Sequence, residues 1–284
     1  MYKIRYICTI RSDIDINNQN TRQPHLADDN CGTHLGQTLN HMKRYLIIGL
    51  FGLVTWPLAA QICDLRTSKT PIDSVIQIDE VPITRYLLKE LRYPFATQVN
   101  NLVGIYIGAI RVAPTGELIS ISTIHPIDKS TALNFNETIT KAWRKHTVRV
   151  SGLRDTTDFL IPVQFRLSKG FTSEPLPYHV DIDMAPPHLS KVIWMTGCNS
   201  AGTAEIIDDQ ELLDQSNTNF KAKKYKRCIK SLSELIRRNP YNPSLYVMRA
   251  KSYELLGETE NACADYDYLR CFLNYTLHKQ TPCQ

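Results

Sequence analysis

The sequence lacks the motifs that mark the common enzyme and metal-binding families. Its 284 residues contain no Gly-x-Ser-x-Gly elbow, no phosphate-binding loop and no paired-carboxylate signature. Its eight cysteines include no Cys-x-x-Cys pair, which argues against a zinc knuckle and a thioredoxin-like redox motif. We therefore predict no enzyme activity, no catalytic residue, no cofactor and no metal site.

A strong excess of one charge is also absent. The chain has 33 basic and 28 acidic residues, interspersed along its length, and a formal net charge of +5. Proteins that bind nucleic acid usually show a strongly basic domain or stripe, so the composition predicts no nucleic-acid partner. With 43% hydrophobic and 21% charged residues, the chain is an ordinary globular protein with room for two modest domains.

The sequence has no apolar run long enough to span a bilayer comfortably. Such a span needs about 20 apolar residues, and the run from Tyr45 to Trp56 is shorter. It follows the basic start Met42-Lys-Arg and is followed by small residues before Gln61, which is the order of a secretory signal peptide. Residues 42–60 are therefore predicted to be a signal peptide for export to the periplasm. An uncleaved inner-membrane anchor is the alternative, and membrane contact is predicted only in that case.

Residues 1–41 are polar and asparagine-rich, with no helical or strand period. We predict that they are a disordered leader that reflects a misassigned start, with translation beginning at Met42. A cytoplasmic tail before an anchor is the alternative. Six cysteines follow the signal peptide, and an even number in an exported protein permits disulfides, although their spacing leaves the pairing open.

Between residues 80 and 168 the hydrophobic pattern predicts a two-layer α+β domain with a three-stranded antiparallel sheet. Residues 83–91 place their apolar side chains on one helical face. A strand over 104–112, a Pro-x-Gly turn and a second strand predict a hairpin. A helix that ends near Trp143 and a final strand over 159–167 complete the element order: helix, hairpin, helix, strand.

Individual positions in these elements give more specific predictions. Gly104 and Gly108 are predicted to let a helix approach the first strand closely. The spacing of Trp143 in its helix predicts a core residue, not a ligand platform. In the second strand, isoleucines are predicted to face the core and serines to face solvent, at Ile119, Ser120, Ile121 and Ser122.

The final strand alternates between apolar and polar side chains. Gln164 and Arg166 are predicted to face outward. Because Pro162 has no N–H to donate to a neighbouring strand, this strand is predicted to lie at or near a sheet edge. The residues predicted to face the core are Phe159, Ile161, Val163, Phe165 and Leu167.

Several motifs in this region are similar to the C-terminal domain of TonB, which contacts outer-membrane receptors from the periplasm. They are Tyr93-Pro94 with Ala96, the glycine-punctuated strand, the turn glycine Gly116 and the ending Pro162-Val-x-Phe165. Asp79-Glu-Val-Pro82 also resembles the lead-in of Bacteroidetes members of the family. The resemblance implies a protein-binding module, not a catalyst.

The chain departs from TonB in features tied to energy transduction. The TonB anchor carries a serine and a histidine that work with an ion-driven motor, and residues 45–60 contain neither. TonB also has a proline-rich rod, whereas residues 61–92 hold only Pro71 and Pro82. Residues 144–149 stand where the family often has a proline–glycine step. A membrane-anchored transducer for transport through outer-membrane receptors is therefore the alternative function.

Residues 208–276 are predicted to form a small all-α domain. From Asn219 to Asn274 the chain resembles tetratricopeptide repeats, which are helix–turn–helix units of 34 residues. A degenerate first helix is expected near 208–214. With about one and a half legible repeats, two interpretations stay open: a concave peptide-binding groove, or a helical hairpin that packs on the first domain. The matching positions include Leu232, Leu235, Tyr246, Ala250, Tyr253, Gly257, Ala262, Tyr266 and Leu269.

Linkers are predicted at 61–79 and 169–207, and a tail at 277–284. The second linker is rich in proline and acidic residues, whereas residues 221–227 are basic, which predicts an attraction between the two. His179, Asp181 and Asp183 alternate along this linker. Without a fourth ligand they do not predict a metal site.

The most specific functional prediction is strand addition at the edge of the first domain. A partner strand would pair along 159–167, where backbone groups give affinity and alternate side chains give specificity. The expected partner is a protein of the cell envelope, such as an outer-membrane protein. A scaffold role for the helical repeats in an envelope complex is the second alternative. The predicted partner-binding residues are Phe159, Ile161, Gln164 and Arg166.

Overall fold

The computed structural model describes residues 62–68, 70–169, 185–186, 188–199, 207–277 and 283. The predicted leader and signal peptide lie outside these residues, and so does the His179–Asp183 segment. Within the described ranges the protein has an α+β fold, as predicted. None of the helices in these ranges combines the length and the apolar character that a bilayer crossing requires.

A small antiparallel sheet begins the fold. Its three strands lie in the order β2-β1-β5 and cover one end of the larger sheet's hairpin, where Val150 faces Gly116. The bounds of the elements in this first part are α1 Ile72–Val75, β1 Ile76–Ile78, β2 Val81–Pro82, α2 Ile83–Glu90, α3 Phe95–Val99 and, later in the chain, β5 Val148–Val150.

The main sheet has four strands in the order β4-β3-β6-β7. Its strands are β3 Gly104–Val112, β4 Leu118–His125, β6 Thr157–Lys169 and β7 Ile193–Asn199. β3 pairs antiparallel with β4 and β6, which confirms the predicted antiparallel trio. The fourth strand, β7, pairs parallel with β6 and comes from residues that were predicted to be linker.

The long helix α4, Lys129–Lys145, covers one face of this sheet. Asp128 begins it with a capping box, accepting a hydrogen bond from the Thr131 backbone N–H at 2.8 Å. Phe135 and Ile139 are buried against β3, as their spacing predicts. Trp143 packs at the margin of the same core and donates from Nε1 to the Gly116 carbonyl at 3.0 Å, so its predicted core role is confirmed.

Four helices and a π-helical turn follow the sheet. They are α5 Asp209–Lys221, α6 Tyr225–Arg238, α7 Pro243–Glu254, α8 Thr259–Asp267 and the π-helix Tyr268–Phe272. α5 begins at Asp209 and α7 at Pro243, so this helix recurs after 34 residues. α6 and α8, which begin at Tyr225 and Thr259, recur after the same interval. The predicted first helix near 208–214 is present as α5.

The helical segment packs against the second face of the main sheet. Ile105, Ile107 and Leu160 from the sheet share one buried cluster with helical residues such as Leu232 and Leu269. The described residues therefore form a single compact unit and not two domains joined by a linker. Of the two interpretations of the helices, the structure favours the hairpin that packs on the first domain.

Two glycines in β3 permit these close contacts, as predicted, although they face different helices. A Cβ at Gly108 would lie 2.4 Å from the Phe135 ring of α4. A Cβ at Gly104 would lie 2.3 Å from the Arg237 carbonyl oxygen of α6. The Arg237 guanidinium also donates to the Val103 carbonyl. β3 is thus held between helices on both of its faces.

The residues predicted to form the first linker belong to the fold. Ile62, Ile72 and Ile76 are buried, the first in the cluster shared with the helices and the others in the α4 core. Disulfide bonds fasten this segment and the chain's end to the helical part, joining Cys63 to Cys271 and Cys263 to Cys283. The linker prediction was therefore wrong for 61–79.

Candidate functional site

The strand predicted to bind a partner, β6, is not an edge of the sheet. β7 pairs with it from Val163 to Lys169. Nearer its start, the Asp158 N–H donates to the Arg66 carbonyl at 2.9 Å, and the Ser190 N–H donates to the Leu160 carbonyl at 3.1 Å. The chain itself thus occupies the side of β6 opposite β3, and the predicted open edge was wrong.

Pro162 explains why the sequence suggested an edge. On the β7 side, β6 pairs at Leu160 and again from Val163 onward, and Pro162 lies in the gap between them. Backbone groups of alternate residues point to the same side of a strand, so the missing N–H of Pro162 faces this gap. The proline marks a local interruption in the pairing of an inner strand.

The four predicted contact residues are not exposed together. Phe159 and Ile161 are buried in the core beneath α4. Gln164 is fully buried on the opposite face of the sheet, and the Arg166 guanidinium donates to its Oε1 at 3.3 Å. The same guanidinium lies 3.6 Å from the centre of the Trp194 ring in β7. A partner could not reach these side chains along β6 without displacing β7.

The open edge of the main sheet is β4. β4 pairs with β3 on one side, and no other strand in the described part of the chain pairs with its outer side. None of its eight residues, Leu118–His125, is proline or carries a formal charge at neutral pH. Natural edge strands are commonly protected by lysine, proline or β-bulges. This edge has neither lysine nor proline, although its pairing with β3 contains two register shifts.

Side chains along β4 change from exposed to buried. Ile119 is 50% exposed, so the prediction that it faces the core was wrong. It lies at a register shift on the outermost strand: Arg111 pairs with Ser120 and Val112 with Leu118, so Ile119 is the extra residue of a β-bulge. Ser120 is exposed, as predicted, and Ile121 is partly buried against the core. The edge therefore offers one apolar and one polar side chain next to its free backbone.

The buried end of β4 borders a cavity of about 290 Å³ between the sheet and the helices. Arg249 crosses its wall and donates to both carboxylate oxygens of Asp265, at 2.6 and 2.9 Å, and to Ser233 Oγ at 3.0 Å. Tyr246 and Tyr268 stack beside this pair with their ring centroids 4.6 Å apart. These polar groups hydrogen-bond mainly to one another, so they hold helices α6, α7 and α8 together.

His125 is the titratable group of the sheet that faces this cavity. Burial, and then the positive charge of Arg249, lower the pKa of His125 to about 3. The ring is therefore neutral near neutral pH and is a poor general acid or base there. Cys228 in α6 is a free, buried cysteine, and burial raises the pKa of its thiol. Neither group forms an activated nucleophile–base pair in this geometry.

No group of three or more potential metal ligands lies together in the ranges that the structure describes. Neither the β4 edge nor the Arg249–Asp265 pair was predicted from the sequence. The absence of charge over 118–125 was a signal for the edge, whereas a pair formed by two facing helices leaves no local signal.

No protein-family model matches the chain, and no curated protein or solved structure is similar enough to it to count as a match.

Proposed function

We propose that this protein is an exported protein-binding module of the cell envelope that pairs a strand of its partner with the edge at Leu118–His125. The observation that carries the proposal is the open outer side of β4, an eight-residue strand without charge or proline. A partner strand would gain main-chain hydrogen bonds along this edge. The exposed side chains of Ile119 and Ser120 would supply the side-chain contacts.

The disulfide bonds support the exported part of the proposal. Cys63–Cys271 and Cys263–Cys283 are typical of an oxidising compartment, because cytosolic thiols are kept reduced. The signal-peptide pattern at 42–60 also supports export, and the periplasm is therefore the proposed location. The two observations are independent, because the signal-peptide pattern is a feature of the sequence at 42–60 and the disulfide bonds are a feature of the folded chain.

The resemblances support a binding role over catalysis. The TonB-like motifs lie in the unit that presents β4, and the 34-residue recurrence of the helices is the period of tetratricopeptide repeats. A TonB-type energy transducer remains the alternative, and the sparse prolines of 61–92 argue against it. A helical scaffold is the second alternative. One face of its helices already packs on the sheet, which leaves less surface for a groove.

A photo-reactive amino acid at Ile119 tests the proposed edge. We expect specific envelope proteins to be cross-linked from position 119, and a second substitution, Ser120→Lys, to reduce the cross-linking by protecting the edge. The matched control is the same photo-reactive residue at Leu255, which is 48% exposed on the helical segment. Cross-linking from 255 but not from 119 would move the site to the helices and overturn the proposed edge.

The N-terminus and mass of the protein from separated periplasm and membranes test its location. A soluble species that begins at Gln61 is the expected result. A membrane species that keeps residues 45–60 would instead favour the energy-transducer alternative.

A further inference from the structure

The turn between α5 and α6 carries a dense group of positive charges. Six of the ten residues from 221 to 230 are basic, and all six are exposed. In the described chain none of them takes part in an ion pair. We call this group the basic patch. It consists of Lys221, Lys223, Lys224, Lys226, Arg227 and Lys230.

The acidic residues of α5 do not neutralise the basic patch. They lie in the first half of that helix, the last of them at Asp214. Lys221 is seven positions after Asp214, which corresponds to about 10 Å along a helix. Asp209 is in addition already paired with Arg238 at 2.7 Å. The acidic residues of the second linker, predicted to be attracted to 221–227, lie outside the described residues up to Glu205. Within the described residues, therefore, no ion pair neutralises the positive charge of the patch.

Two of these cations do not stabilise the helix that carries them, whereas Lys221 lies in the last turn of α5, where a cation is favourable. Lys226 and Arg227 lie in the first turn of α6, which contains no acidic residue, and Lys224 begins the helix without a side-chain cap. The N-terminal end of a helix carries partial positive charge, so cations there are unfavourable. By contrast, Arg144 and Lys145 lie in the last turn of α4, where cations are favourable. A binding role would account for charges that oppose local stability.

The composition of the patch indicates which anion it fits. Five of its six cations are lysines, which act as flexible point charges, whereas shaped recognition of one phosphate or carboxylate favours the arginine fork. The patch covers the exposed turn between α5 and α6, and its neighbours Phe220 and Tyr225 pack edge to face with ring centroids 5.7 Å apart. Aromatic side chains beside basic ones are typical of proteins at a membrane–water interface.

We propose that the basic patch binds the surface of an anionic lipid membrane through its phosphate headgroups. This contact is separate from strand pairing at β4 and does not require an uncleaved anchor. The choice of lipid over nucleic acid rests on the proposed export of the chain. The patch would hold the protein against a membrane while the β4 edge stays available to a protein partner.

Vesicle co-sedimentation tests the proposal with the natively processed, oxidised protein. We expect binding to vesicles that contain phosphatidylglycerol and not to vesicles of phosphatidylcholine alone, with salt weakening the binding. Each surface cation contributes about a fivefold gain in affinity, so Lys226→Glu with Arg227→Glu should weaken binding about 30-fold or more. Because these acids suit a helix N-terminus, the variant should melt no lower than the wild type.

The matched control is Arg144→Glu with Lys145→Glu, which changes the net charge equally at another exposed site. It should keep vesicle binding. Equal losses in both variants, or no binding of the wild type to anionic vesicles, would overturn the proposal, and so would binding to heparin or duplex DNA without vesicle binding. The Ser120→Lys variant should still bind vesicles, which separates a failure of this proposal from a failure of the β4 edge.

Discussion

Replacing Gly104 with alanine tests whether the helices and the sheet fold as one unit. The new Cβ would lie 2.3 Å from the Arg237 carbonyl oxygen and 3.0 Å from its carbon. Both atoms belong to the main chain of α6, which cannot rotate away as a side chain can. Gly104 also has a φ of +146°, a conformation that alanine rarely adopts.

The two effects can be estimated separately. A residue held in a sparsely populated backbone region costs about 1–3 kcal/mol. Overpacking of a well-packed contact costs about 1–3 kcal/mol more. We therefore expect Gly104→Ala to lower the free energy of unfolding by about 2–6 kcal/mol, which is a large part of a typical total of about 5–15 kcal/mol.

Urea unfolding followed by circular dichroism and tryptophan fluorescence measures this change. Gly152→Ala is the matched control, because Gly152 has a φ of +77° and a Cβ added there would have no neighbouring atom within 4 Å. The control should lose only the backbone contribution, and both signals should report one transition. Equal losses of stability in the two variants would mean that α6 does not press on β3, and would refute the single packed unit.

Two further predictions concern disulfides and pH. Removing Cys63–Cys271, which joins residues 208 apart, should lower the free energy of unfolding by about 5 kcal/mol by the chain-entropy estimate. Removing Cys263–Cys283, whose residues are 20 apart, should lower it by about 3 kcal/mol. Urea unfolding of the serine variants measures both losses and their order. The pKa of His125 is lowered from 6.5 to about 3 in the folded protein. As pH falls below 6.5, the imidazole therefore becomes protonated in the unfolded chain but stays neutral in the fold, which favours unfolding. Stability should therefore fall by roughly 1.5 kcal/mol between pH 6.5 and about pH 5, and His125→Gln should flatten this dependence in urea titrations. An unchanged slope would contradict the burial of His125.

Local periodicity predicted the elements that have one apolar face. The alternation over 159–167 and the helical spacing of Phe135 and Ile139 each place side chains on the correct side of the sheet. The turn at Gly116 was also predictable from its Pro-x-Gly sequence. In the fold the Gly116 N–H donates to the Ala113 carbonyl at 2.9 Å. These features depend on residues that are near one another in sequence.

Contacts between distant segments could not be predicted in the same way. β7 lies in a stretch that resembles a linker, and its pairing with β6 depends on residues about 30 positions away. Gln164 was predicted to face solvent because it is polar, yet it is fully buried, on the sheet face that carries Ile105 and Leu160. Ile105 and Ile107 did indicate a second layer. With them β3 is apolar on both faces, and a strand that is apolar on both faces is buried on both.

The Cys63–Cys271 bond also determines how the chain must mature. Under the proposed export the chain would emerge from its N-terminal end, so Cys63 would enter the oxidising compartment before Cys271. Cys198 and Cys228 both arrive before Cys271. Oxidation in order of arrival would join Cys63 to one of these earlier cysteines, and only thiol–disulfide exchange could then correct the error. Under the proposed export, correct maturation would therefore require a compartment that isomerises disulfides as well as forming them.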